Sequence, residues 1–493
     1  MRVSLASSIA VTCAAVLALP VPLAAPAAAA VPPALGLPRA VPALPPAAAA
    51  LPPAPELPGS TQSLPLTPLP GSTRALGGAG AGEQGLTRRD VRPFSLVGVV
   101  WDDPTAPLHG TVQVRTRASG GDTWSPWQDV ETHNDEHGAD PGTAEGATRG
   151  LRGATAPLWV GDSDGVEIRV RGEESLPTGL RLELVDPGEA PAADAAADPV
   201  AAPGRAVAAP RGRTAAAPAV PAVRGAPASL GAAEAAASAA NAGLAPLGAN
   251  WIPALSKEET ELTVGQAPDR SARQAPDRSA RQAPAAPAVA PFIGPRPKII
   301  TRKGWGADEG IREKGFVYTK TIKAAFVHHS ATGNNYTCGQ APSVLRGIYR
   351  YHVKSSGWRD FGYNFAVDKC GNIYEGRAGG VAKPVLGAHT LGFNTNSMGI
   401  AVLGTFSQSA PPAAVVTAVA RLTAWKLGLH GVNPKGAAYL VSGGGNRYKK
   451  GTTVRFNAIA GHRDGFATEC PGGRLYNKLG TARTSSAKLQ GRR

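Results

Sequence analysis

The run Ile322-Lys323-Ala324-Ala325-Phe326-Val327-His328-His329-Ser330 reads as a buried strand that ends in two adjacent histidines. Apolar residues at helical spacing follow over 341–353, with Pro342 where a first helical turn tolerates it. The stretches 361–368 and 398–406 read as further strands, and a second helical pattern covers 411–428, opened by Pro411 and Pro412 and closed by Gly428. Strands alternating with helices predict one α/β domain over 297–480, followed by a basic tail over 481–493.

Upstream of this domain the texture changes. Residues 188–296 are rich in Ala, Pro and Arg and contain two tandem octads, 266–273 and 274–281, each reading QAPDRSAR, which predicts a long disordered linker whose role is reach. Over 89–187, short alternating runs such as Thr111-Val112-Gln113-Val114-Arg115 and Val166-Glu167-Ile168-Arg169-Val170 predict a small all-β, sandwich-like domain. Its Trp124, Trp127 and Trp159 read as core or as a carbohydrate-binding surface, and no catalytic cluster is visible in it. Residues 31–88 read as an Ala/Pro-rich spacer. Residues 1–30 have the form of a secretory signal, with Arg2, an apolar run to Leu23 and small residues at Ala27–Ala30. Pro20, Pro22 and Pro26 interrupt that run, so a stable membrane anchor is not expected, and the mature chain is expected outside the cell or in its wall.

Charge and cysteines narrow the function. The net charge is +15, but residues 295–493 carry 29 Lys and Arg against 8 Asp and Glu, leaving the rest of the chain slightly acidic. A basic exported domain attracts polyanions, and anionic wall polymers fit better than nucleic acid, because no base-stacking or groove-reading motif occurs. Removal of the leader takes Cys13 and leaves Cys338, Cys370 and Cys470. The simplest arrangement pairs Cys338 with Cys370 as a disulfide and leaves Cys470 for chemistry or metal.

The chemistry-bearing pieces are the His328-His329 strand end, Gly387-Ala388-His389, and Gly461-His462-Arg463-Asp464 leading to Cys470-Pro471-Gly472. Zinc prefers imidazole and thiolate, and three protein ligands with one open position make a catalytic site. Adjacent strand residues point to opposite faces, so only one of His328 and His329 enters such a site.

These motifs, in order, resemble the peptidoglycan recognition protein and type 2 N-acetylmuramoyl-L-alanine amidase family: His328-His329-Ser330-Ala331-Thr332, Gly357-Trp358-Arg359-Asp360-Phe361-Gly362-Tyr363-Asn364-Phe365, Tyr374-Glu375-Gly376-Arg377, Gly387-Ala388-His389, Asn394-Thr395-Asn396-Ser397-Met398-Gly399-Ile400, and Thr468-Glu469-Cys470-Pro471-Gly472. The resemblance covers residues 297–480 and implies a mixed central β-sheet flanked by helices. It implies Zn2+ held by His328, His462 and Cys470, with Tyr363 and Thr468 catalytic and His352, Arg377, His389 and Asn394 on the substrate side. The implied activity is hydrolysis, by zinc-activated water, of the amide joining N-acetylmuramic acid to L-alanine in peptidoglycan. Ala378-Gly379 replaces the family dipeptide that tracks diaminopimelate or lysine, so stem-peptide preference is not carried over. The stretch 442–455 reads as a basic loop bordering the cleft or as a simple insertion.

Rival readings are separable. A non-catalytic peptidoglycan-binding protein typically lacks the cysteine ligand that Cys470 supplies here. A thiol hydrolase with Cys470 activated by His462 would be inactivated by iodoacetamide and indifferent to chelators. A blue-copper site wants a nearby methionine, and Met398 sits inside a strand pattern, while structural zinc wants a fourth protein ligand.

Overall fold

The computed structural model describes residues 59–69, 82–189 apart from 133, 135, 136, 149 and 174, 230–265, and 292–493. The expected leader, most of the expected spacer and the tandem octads lie outside the described residues.

The N-terminal sheet is built from β1 (Ser60–Pro65), β2 (Thr67–Pro68), β3 (Glu83–Trp101), β4 (Gly110–Ala118), β5 (Gln128–Val130), β6 (Gly153–Ala154), β7 (Leu158–Gly172) and β8 (Arg181–Asp186). Its main order is β1-β8-β3-β7-β4-β5, and every pairing is antiparallel. Alternate residues of the strands, among them Val112, Val114, Ile168, Val170, Leu182 and Leu184, interdigitate as its core. The spacer boundary expected at residue 88 is corrected: Ser60–Pro65 pairs along the whole of β8, and Leu66 is buried. Pro65 and Pro68 lie at the ends of short strands, where a missing N–H is tolerated. Trp124 and Trp127 are not core; guanidinium groups of Arg88 and Arg115 lie over Trp124, and those of Arg115 and Arg169 over Trp127.

The second body comprises α1 (Ala232–Ala239), β9 (Trp251–Ile252), α2 (Lys257–Gly265), β10 (Ile299–Ile300), α3 (Arg302–Trp305), β11 (Ala324–His329), α4 (Ala341–Arg350), β12 (Phe365–Val367), β13 (Ile373–Glu375), β14 (Ser397–Val402), α5 (Ala413–Gly428), β15 (Ala437–Val441), β16 (Thr453–Asn457), β17 (Ile459–Gly461), α6 (His462–Gly465), α7 (Gly473–Tyr476) and α8 (Leu479–Leu489). The sheet order is β17-β11-β14-β12-β13-β10-β9, with β11 parallel to both neighbours and β12 antiparallel to β13, so the sheet is mixed as expected. Ala325, Val327, Ile400 and Val402 of the sheet meet Val419 and Leu422 of α5 on one face. On the other face, Ala366 and Ala401 meet Val344, Leu345 and Ile348 of α4, and Leu96, Val100, Trp159 and Val185 of the N-terminal domain join that same cluster. Helix α4 is therefore sandwiched between two sheets. Next to it, the Tyr351 hydroxyl donates to Val99 O and Thr155 O across the junction.

Two further boundaries are corrected. Part of the span expected as linker is folded: Ile252 is fully buried and pairs with Ile299, and the Asn241 amide donates to Glu375 Oε1 while accepting from Val381 N. An Ala-rich stretch lacks an obvious period, but its few polar anchors find buried partners. The expected basic tail is helix α8, whose Ala482, Ser486 and Ala487 are buried and whose Ser486 Oγ accepts from Thr423 of α5; its charged residues alternate with small ones that pack. Residues 442–452 form the loop of the β15–β16 hairpin, and Gly443 N donates to Gly392 O of the turn before β14.

Candidate metal centre

Strands β11 and β17 run parallel with Val327 opposite Gly461, so the next residues, His328 and His462, emerge side by side at the same sheet edge. Their ring centroids are 4.4 Å apart. The turn 466–471 brings Cys470 back over them, with Sγ 3.9 Å from His328 Nδ1. Alternation sends His329 the other way, where its Nδ1 accepts from Phe406 N. Of the adjacent pair, one histidine faces the site, as strand geometry requires.

Behind His328 a polar relay fixes the ring. Thr390 Oγ1 lies 3.5 Å from His328 Nε2 and 3.0 Å from His389 Nδ1, and Ser397 Oγ lies 3.4 Å from His389 Nε2. The relay leaves Nδ1 of His328 facing Cys470. His389, expected on the substrate side, is fully buried in this supporting layer.

Among the described residues, one group could hold a metal: His137, His328, His462 and Cys470, whose ligand atoms lie within 4.8 Å of one another. A tetrahedral zinc site with bonds near 2.0–2.3 Å places its ligand atoms about 3.5 Å apart. The 3.9 Å between Cys470 Sγ and His328 Nδ1 is close to that spacing, and an imidazole and thiolate donor set is the one zinc prefers. Burial, reinforced by His462, His137, His389 and His329, holds His328 well below the ordinary histidine range, and burial with His329 lowers His137 to about 3. Both rings are thus neutral, the form that ligates. The residues present fit a zinc ion.

Tyr363 and Thr468 line the narrow cavity beside Cys470, and Thr468 Oγ1 accepts from Cys470 N. The Tyr363 ring centroid is 5.2 Å from that of His328. His352 is buried, stacks on Trp358 and accepts from Gly362 N, so it supports the cleft floor. Arg377 donates to Phe361 O and to both carboxylate oxygens of Glu145, and Asn394 Nδ2 donates to Gly138 O and Asp140 Oδ1. Cys338 and Cys370 are disulfide-bonded, tying the turn before α4 to the β12–β13 turn.

The sequence reading missed His137 and the segment that carries it, which come from the N-terminal domain. The available signal was the tract His133-Asn134-Asp135-Glu136-His137, a His- and acid-rich stretch of metal-binding composition in a domain otherwise without chemistry.

Residues 318–473 match the family model for N-acetylmuramoyl-L-alanine amidase, and residues 46–205 match that described as Rv3811 N-terminal galactose-binding domain-like. Peptidoglycan-recognition protein SC2 of Drosophila melanogaster is 30% identical over 185 residues, covering 37% of this chain and 85% of the relative. A human N-acetylmuramoyl-L-alanine amidase is 29% identical over 189 residues, covering 38% of this chain and 28% of that protein. Wild-type Drosophila PGRP-LB, a solved structure, is 27% identical with a TM-score of 0.30, covering 37% of this chain and 92% of that one.

Proposed function

The chain belongs to the peptidoglycan-recognition protein and N-acetylmuramoyl-L-alanine amidase family, and from that premise we propose that it is an exported zinc amidase that hydrolyses the bond between N-acetylmuramic acid and L-alanine in peptidoglycan. The observation that carries the reading is Cys470 beside His328 and His462: a thiolate completes a ligand set that two imidazoles alone would leave weak. A bound zinc ion would supply Lewis acidity and an activated water.

The chain's own residues do the rest. His328, His462 and Cys470 hold the metal, and Thr390 keeps the His328 ring from rotating. Tyr363, at the cavity wall, donates its hydroxyl to the oxyanion that forms as the amide carbonyl becomes tetrahedral, an interaction worth on the order of 3 kcal/mol. Thr468, which lines the same cavity, orients the attacking water. Arg377 and Asn394 offer cationic and amide donors suited to a substrate that carries carboxylates and peptide carbonyls. The basic surface of this domain draws it to an anionic wall.

The test is muropeptide mass spectrometry after digestion of purified wall by full-length protein. We expect new L-alanine N-termini, lost with a chelator, restored by Zn2+ and abolished in Cys470→Ala. A folded, zinc-loaded protein that releases none, native and His137→Ala alike, would return the family's non-catalytic binding role to first place.

A further inference from the structure

We propose that the segment His137–Glu145 of the N-terminal domain is a built-in plug of the metal site: His137 is a fourth metal ligand, and the carboxylates of Asp140 and Glu145 fill the cleft beside it, so that the chain folds in a latent state. What the plug restrains rests on the amidase reading above; the ligation itself does not.

The coordination geometry is the first support. His137 offers a ring nitrogen within 4.8 Å of the ligand atoms of His328, His462 and Cys470, and its ring centroid is 4.6 Å from that of His462 and 5.3 Å from that of His328. Four protein ligands close a zinc site, whereas hydrolysis needs one position open. With His137 in place no position is left for water.

The same segment occupies Asn394 and Arg377, which are joined to the site through Thr390 N donating to Asn394 Oδ1 and Arg377 N donating to Tyr363 O. Asp140 Oδ1 accepts from Gly392 N at 2.8 Å and from Asn394 Nδ2 at 2.7 Å, and Gly138 O accepts from the same amide at 2.8 Å. Glu145 forms a buried two-pronged pair with Arg377, Oε2 to Nη1 at 2.6 Å and Oε1 to Nη2 at 2.5 Å. These are the donors that a carboxylate-bearing stem peptide would need. Plug and substrate therefore exclude each other. The ligands beneath are closed to a polymer, with Cys470 2% exposed and His328 and His462 at 0%.

The plug is held by a docked domain rather than by a loose loop. Arg152 N donates to Ser356 O and Trp159 N to Thr332 O; Ser355 Oγ donates to Glu183, and Arg346 donates to Pro187 O and Gly188 O. Together with the apolar cluster shared around α4, these contacts fix the segment that leaves β5 at Val130 and rejoins the sheet at β6. Opening the site requires the segment to withdraw, alone or with its domain.

Full-length protein loaded with Co2+ reads the coordination without relying on turnover. Azide should leave the visible ligand-field bands of the native chain unchanged and shift them saturably in His137→Ala, where a position is open. The double variant Asp140→Asn/Glu145→Gln keeps all four ligands and loosens the segment, so it should gain partial azide sensitivity. Both variants should release L-alanine N-termini from purified peptidoglycan at least tenfold faster than the native chain. Equal azide responses in the native chain and His137→Ala would overturn the proposal, as would faster release with no azide response. If His137→Ala does not fold, the double variant decides: azide response and release both equal to native refute the plug. If azide separates the proteins but none releases L-alanine, His137 closes a metal site and the amidase reading falls alone. A native chain that binds no Co2+ sinks both.

Discussion

A single methyl group at Gly98 should unseat the N-terminal domain from α4. Gly98 lies in β3 opposite Glu183, and a Cβ built there would stand 2.4 Å from Tyr351 Oη, 2.5 Å from Cζ and 2.6 Å from Cε2. Normal carbon contacts begin near 3.5 Å, so the tyrosine ring would have to retreat by about 1 Å. That ring is fully buried, and its hydroxyl donates to Val99 O at 3.2 Å and Thr155 O at 3.1 Å. A retreat of that size stretches both bonds beyond useful length, which costs about 1–3 kcal/mol for the stranded groups. Overpacking adds about 1–3 kcal/mol, for a total of about 2–6 kcal/mol in Gly98→Ala. Tyr351→Ala alone should cost about 3–5 kcal/mol through the space it leaves. In that background the Gly98→Ala methyl enters vacated space, so the double variant should be less destabilised than the sum of the singles by about 2 kcal/mol or more. Urea unfolding of the four proteins, followed by tryptophan fluorescence, measures the cycle. Additivity within about 0.5 kcal/mol would refute the claim that this contact seats the domain.

Thr390→Val should weaken zinc binding about 10–100-fold, because it frees the His328 ring, with Thr390→Ser restoring the affinity; competition against a fluorescent chelator measures it, and equal affinities would sink the relay. Asn241→Ala strands Val381 N and one oxygen of Glu375, each at about 1–3 kcal/mol, so limited proteolysis should cut within 230–265 far faster than in the native chain; an unchanged digestion pattern would mean this stretch is not anchored through Asn241. Burial lifts the Glu375 carboxyl to about 7, from 4.5, against the opposing hydrogen bonds and charge of Asn241 and Arg302. The folded chain then holds a proton that the unfolded chain has lost, so this group's stabilisation is present below about pH 4.5 and disappears as pH rises through 7, with a slope of at most about 1.4 kcal/mol per pH unit. Glu375→Gln should flatten the fall in urea midpoint between pH 5 and pH 7, and parallel profiles for the two proteins would contradict the assignment.

The parts of the fold that were legible are those whose pattern is local. Strand β11 carries its signal in consecutive buried residues, and α4 and α5 carry theirs in helical spacing with prolines at their starts. The misjudged parts are those where composition masks a partner. Ser60–Pro65 has no core pattern of its own; it is a strand because β8 offers an edge along its length. Helix α1 is six alanines in eight residues, with Ala237 its buried residue, and the segment is fixed by Asn241, which follows the helix. Helix α8 reads as a charged tail until Ala482 and Ser486 are seen against α5. Propensity alone decides little at such positions, because tertiary contact supplies the free energy.

The metal site divides along the same line, and the division bears on how the chain works. His328 and His462 are legible because one sits near the end of a strand and the other directly follows one, and the parallel register of β11 with β17 makes neighbours of them across 133 intervening positions. Cys470 is legible because pairing Cys338 with Cys370 leaves it over for metal. His137 is not, since nothing in the local sequence says which surface the segment after β5 will meet; that is decided by the docking of two separately patterned sheets on opposite sides of α4. A ligand supplied through a domain interface is also one that can leave with the domain, whereas His328 lies on the core sheet and His462 directly follows its strand β17. On the proposed reading, the three ligands that reaction requires come from the core sheet and the elements that directly follow it, and the one that would block reaction sits on the docked N-terminal domain.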